Sequence, residues 1–171
     1  GMWAYVMGSA HVAKGHLGPA EAELQVIRDA IASPDVDESG VGPTEASHVL
    51  NLAMHALMGE IEEANGDLDA AVEHYGHAVG FQENLNYTEP PDWSQSMRLY
   101  QGAALIQAGK AEEAEEVYLK DLQWNQQNGW STFGLYQALE AQGKDQEALV
   151  IKRQFESFWR NSDVELTRSR I

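Results

Sequence analysis

Glu60, Glu63 and Glu140 are the carboxylates whose helical spacing could bring them into one groove, where a pair held at a fixed separation would serve acid and base chemistry. Nothing in the sequence fixes that separation. Four of the six histidines enter spaced pairings: His74 with His77 three residues on, His77 with Glu73 four residues before it, and His48 with His55 two turns apart. A metal site needs several ligands converging, and such pairs are common on solvated helices, so neither a metal nor a cofactor is expected. The run from Asp35 to Gly40 places oxygens at the first, third and fifth positions and glycine at the sixth, as a calcium loop does. The twelfth position is Ala46, however, and Glu45 misses it by one, so the run reads as an acidic loop. The chain has no cysteine, no glycine-rich phosphate loop after a strand, no Gly-x-Ser-x-Gly elbow and no His-Glu-x-x-His pair. No catalytic residue is assigned, and a binding protein is favoured over an enzyme.

The charge balance narrows the partners. Eleven Lys and Arg stand against 27 Asp and Glu, a formal net charge of −16 in 171 residues. That field repels nucleic acid and anionic membrane surfaces and favours a partner with basic residues. A hydrophobic share of 43% is enough for a core, and no apolar run approaches the length of a membrane-spanning helix.

What must position these side chains is a repeat. Four segments share Gly, four residues, then Ala: Gly15 with Ala20, Gly66 with Ala71, Gly109 with Ala114, and Gly143 with Ala148. Seven residues before the first three lies another glycine (Gly8, Gly59, Gly102), and the fourth unit has Tyr136 there. Small residues let two antiparallel helices approach, and the middle glycine takes the turn conformation that a side chain resists. The last two middle glycines are 34 residues apart, the tetratricopeptide period; the earlier separations exceed it by 17 and 9. The surplus falls in Ser33 to Ser47 and in Gln82 to Trp93, both rich in Pro or Gly. The expected fold is therefore all-α: a tetratricopeptide-like solenoid of four hairpins in one domain. Its helices are expected near 2–14, 18–32, 44–65, 68–82, 93–108, 111–126, 129–142 and 145–160, with a tail over 161–171. The second helices of the hairpins are expected to carry one apolar stripe each: Leu24, Ile27 and Ile31, then Ala71, Val72, Tyr75, Ala78 and Val79, then Ala114, Val117, Tyr118 and Leu122, and last Ala148, Ile151, Phe155 and Phe158.

Residues from Tyr87 onward resemble the carboxy-terminal region of a family of largely uncharacterised bacterial tetratricopeptide-repeat proteins. The resemblance rests on Glu89-Pro90-Pro91-Asp92-Trp93, Gly102-Ala103-Ala104-Leu105, Asn128-Gly129-Trp130, the run Ala138 to Gly143, and the closing Asp163 to Arg170. It implies the fold and brings no activity. Asp121 departs from the repeat pattern, which usually has Ala there, and the third unit is expected to pack less tightly. Family members are longer, and the helical pattern is already under way just after a Gly1-Met2 tag remnant. The sequence thus reads as a fragment of a longer protein, with any targeting signal expected upstream and the cytoplasm as the default compartment.

On the repeat pattern, the first helices of the hairpins line a concave groove. This selects Tyr5, Ser9 and Val12; Ala56, Glu60 and Glu63; Leu99, Ala103 and Ile106; and Trp130, Phe133, Gln137 and Glu140, with Arg98 as the nearby cation. Tyr87, Glu89 and Trp93 would form a lip beside it, stiffened by Pro90 and Pro91. The leading expectation is a scaffold that binds a protein or peptide carrying a basic residue and an apolar anchor. The alternative is a small-molecule-handling or hydrolytic protein with an acidic and aromatic site, and a third reading is self-association through the end repeats.

Overall fold

The computed structural model describes residues 1–39 and 43–170. Among them are eight α-helices and no strand: α1 (Met2–Ala13), α2 (Leu17–Ile31), α3 (Ala46–Asn65), α4 (Leu68–Glu83), α5 (Met97–Gln107), α6 (Ala111–Trp124), α7 (Gly129–Ala141) and α8 (Asp145–Trp159). A short 3-10 turn covers Val36–Ser39. Two compact units result, Gly1–Met97 and Arg98–Ile171.

Each middle glycine of the repeat sits in the left-handed region, with φ of 72° at Gly15, 85° at Gly66, 75° at Gly109 and 72° at Gly143. A Cβ there would be strained whatever the space around it, which is why glycine recurs at this turn. The alanine five residues on is buried in all four cases. Gly59 lies under the Tyr75 ring, so α3 and α4 meet where α3 has no side chain; Gly102 and Gly134 both lie against the Tyr118 ring in the same way. A Cβ at Gly8 would instead run into Leu57 of α3, which brings α1 against α3. In the first unit the core joins Ala4 of α1, Leu24 and Ile27 of α2, and Leu50, Leu57 and Ile61 of α3.

Two helices start later than the pattern predicts. For α3 the first helical residue is Ala46 rather than 44, because Thr44 donates its hydroxyl to Asp92 (2.7 Å) while the Ser47 amide donates to Asp37 (2.9 Å). Asp37, a member of the calcium-like run, thus ends as a helix-capping acceptor, and Gly40 of that run lies outside the described residues. For α5 the start moves from 93 to Met97. Gln82 reaches across from α4, accepting from the Met97 amide (2.7 Å) and donating to the Gln95 carbonyl (2.8 Å), which supplies a cap only at that point. Asn86 donates to the Pro43 carbonyl (2.7 Å), so the two inserted loops are fastened to each other.

In the second unit Asp121 is fully buried, and its carboxylate accepts from Asn125 (2.9 Å), from Asn128 (3.4 Å) and from the Ser131 hydroxyl. A charged acceptor surrounded by donors replaces the apolar contact an alanine would make. Phe158 likewise departs from the predicted stripe, being 41% exposed, while Trp159 turns inward against Gly129 and Trp130. The tail is held back onto the unit. Gln137 donates to the Thr167 carbonyl (3.1 Å), and Ser169 is buried with its hydroxyl donating to the Leu99 carbonyl (3.0 Å).

Candidate functional site

The groove positions drawn from the repeat pattern divide between the two units. In the first, Tyr5 packs against Trp93, ring centroids 5.0 Å apart, so this member of the expected lip is tied to α1. Tyr87 is 84% exposed and donates its hydroxyl to Glu89. Glu63 accepts from the Tyr75 hydroxyl (3.0 Å), and the Ser9 hydroxyl oxygen is buried with no hydrogen-bond partner among the described residues.

In the second unit, Leu99 and Ala103 are core residues. Arg98 is half-buried near the Asp121 carboxylate; burial lowers its pKa and the carboxylate opposes that shift. Glu140 accepts from Tyr136 (2.8 Å), and Lys152 stands over the Tyr136 ring at 5.4 Å. The hydrogen bond to this anionic neighbour holds the Tyr136 phenol above its ordinary pKa.

Trp130 and Phe133 face α8 and there meet two residues that the groove pattern does not select. Trp130 is edge-on to Trp159 at 5.5 Å, Phe133 lies 5.0 Å from Phe155, and Phe155 stacks with Trp159 at 5.6 Å. Trp159 donates its indole N–H to the Val164 carbonyl (2.6 Å) and fastens the tail beside the rings. The result is an open recess of about 440 Å³ lined by Phe133, Phe155 and Trp159 of the helices and by residues 162–166 of the tail, among which Asp163 and Glu165 are exposed. That volume lies within the range of small ligand pockets, and aromatic faces beside carboxylates attract a cation with an apolar stem. The sequence holds a signal for this arrangement: Trp130 and Phe133 are three apart and Phe155 and Trp159 four apart, so each pair shares a helix face.

A second cluster lies between α3 and α4. The Gly59–Tyr75 contact sets their register, and that register brings the separately spaced histidines together. His55 Nδ1 is 3.4 Å from His74 Nδ1, and the His55 ring centroid is 4.9 Å from that of His77. Phe81 stacks on His55 at 5.7 Å, and His48 is hydrogen-bonded to the Phe81 carbonyl at 2.8 Å. Burial first, and then the neighbouring His77 and His74, depress the His55 pKa from 6.5 to about 4. Burial also lowers His74, against the pull of Glu62 and Glu73. His77 is largely exposed and pairs with Glu73 at 3.6 Å. Among the described residues no group of three or more His, Asp or Glu side chains stands ready to hold an ion. None of the described helices is long and apolar enough to cross a membrane.

Compared with family models and with curated proteins, the chain matches none.

Proposed function

We propose that this chain is a tetratricopeptide-type scaffold module that holds a segment of another protein, and that the recess between α7, α8 and the tail receives one anchoring side chain of that segment. The reading rests on three aromatic rings and two acidic residues lining one recess. Burying the apolar stem of an Arg or Lys on the rings supplies contact area, while the carboxylates select charge and register. The −16 net charge favours encounter with a basic segment. Four hairpins turning on left-handed glycines support the repeat assignment.

The test is fluorescence anisotropy with two labelled ten-residue probes, one carrying Arg next to Leu and one with that Arg replaced by Glu. The basic probe should bind saturably, more weakly as salt rises, and several-fold more weakly to the D163N/E165Q double variant. Both substitutions are at exposed positions, so the fold should be retained. Equal binding of the two probes, or binding indifferent to the double variant, would remove the recess from the proposal.

A further inference from the structure

We propose that His55 and His74, with His77 as third ligand, form a binding site for a divalent transition-metal cation of the zinc or copper class. The distance that carries this is the 3.4 Å between His55 Nδ1 and His74 Nδ1. Two imidazole nitrogens bound to one tetrahedral ion at about 2.0–2.1 Å are separated by roughly 3.3–3.4 Å, the edge of that tetrahedron. The two nitrogens therefore stand at the separation of one coordination edge, held there by a hydrogen bond that an ion would replace; because no three side chains among the described residues already converge, His77 must turn toward them to complete the site. Their spacing is set by packing: the α3–α4 contact at Gly59 and Tyr75 fixes the register, and Phe81 stacks on the His55 ring.

His77 supplies the third nitrogen. It lies one turn from His74 on α4, its ring is 4.9 Å from that of His55, and its exposure leaves it room to rotate toward the shared edge. Glu73, 3.6 Å from His77 Nε2, is the carboxylate that would orient that ring in the bound state. Water completes the shell. His48 is excluded because Phe81's carbonyl holds its Nε2. Imidazole ligands favour zinc, copper or nickel over calcium or magnesium. The local field is mixed, with Glu62 and Glu73 opposing Arg28 around His74, and the chain as a whole is strongly anionic. This site departs from the sequence reading, in which the α3 and α4 histidines remain separate pairs. It is independent of the peptide-binding proposal, since every residue in it lies in the first unit.

The experiment is calorimetric titration of Zn²⁺ into chelator-treated protein, with Cu²⁺ paramagnetic resonance of the unsubstituted chain alongside. One Zn²⁺ per chain should bind, H55Q and H74Q should each weaken it at least tenfold, and H77Q severalfold. H16Q and H48Q should leave it unchanged. The Cu²⁺ spectrum should carry hyperfine coupling from at least two imidazole nitrogens, a readout that does not depend on a variant folding. Zn²⁺ affinity unaltered in both H55Q and H74Q, no uptake below millimolar Zn²⁺, or a Cu²⁺ spectrum with one nitrogen or none would overturn the site.

Discussion

The Tyr118 phenol and the Ser169 hydroxyl lie 2.6 Å apart, fully buried, although 51 residues separate them. Because Ser169 gives its proton to the Leu99 carbonyl, the Tyr118 hydroxyl is the donor to Ser169 Oγ. Burial holds this phenol far above its ordinary pKa, so it stays protonated and the relay is intact at any ordinary pH. The relay joins α6, α5 and the tail, and Arg170 lies over the Tyr100 ring at 4.9 Å just beyond it.

Removing Ser169 should therefore unfasten the tail. S169A leaves the buried Tyr118 hydroxyl without its acceptor, at a cost of about 1–3 kcal/mol. Urea unfolding should show the loss, and limited proteolysis should cut the released segment beyond Trp159 faster than in the parent. In a Y118F background the same S169A change should cost distinctly less, because the phenol it would strand is already gone. Equal cost in both backgrounds would mean that the tail is held by something other than this hydrogen bond.

Glycine substitutions separate two roles of that residue. Gly80 lies inside α4 with open space where a Cβ would be added, so G80A should stabilise by about 0.5–1 kcal/mol through helix propensity alone. At Gly102 and Gly134 the added Cβ falls on the Tyr118 ring, and the backbone gain is outweighed by overpacking of about 1–3 kcal/mol. Thermal melts of the three alanine variants should accordingly move in opposite directions, upward for G80A and downward for the other two.

Asp121 offers a sharper loss. In D121A, the Asn125, Asn128 and Ser131 donors lose a common buried acceptor, and a cost on the order of 2–4 kcal/mol follows. Asn128 also caps α7 by accepting from the Trp130 amide (3.0 Å), so the damage should concentrate at the α6–α7 connection. Hydrogen exchange should show earlier opening of α7 than of α1 and α2; uniform acceleration across the chain would instead mean that Asp121 supports the whole molecule.

The repeat makes much of the fold legible in advance. A glycine followed five residues later by a small buried alanine has a local cause, turn conformation plus close helix approach, and local causes survive in sequence. The pattern thus places all eight helices within a few residues, except where a distant side chain supplies the cap, as Gln82 does for Met97. The sites are less legible because they depend on which helix faces meet. Phe155 falls on the core stripe of the pattern and Trp159 falls off it, and the tail that walls their recess has no periodicity of its own. The histidines are visible as pairs along each helix, but their convergence depends on the register that Gly59 and Tyr75 impose across the hairpin. Asp121 looks like a defect in an apolar pattern because its three donors come from the connection and the next helix, beyond the reach of a repeat alignment.

The same register gives the metal-free protein a dependence on pH. His55 titrates near 4 in the folded chain and near 6.5 when unfolded, so between those values the unfolded chain binds the extra proton. Stability contributed by the neutral ring is thus full above about pH 6.5 and is lost as pH falls toward 4. The full shift would amount to about 3 kcal/mol, but the ring is only half-buried and solvent screens its neighbours, which reduces the expected loss to about 1–2 kcal/mol. The groups facing it are His74 and His77; at His74 itself, Glu62 and Glu73 favour the protonated imidazole and Arg28 opposes it. Urea midpoints measured in chelator at pH 7.5 and pH 4.5 will also report the chain's many carboxylates, so the informative quantity is the difference between the parent and H55Q. That difference should shrink or reverse at the lower pH as the parent loses the contribution of its neutral ring; a constant difference across the range would place His55 in a solvated setting and leave the α3–α4 histidines uncoupled.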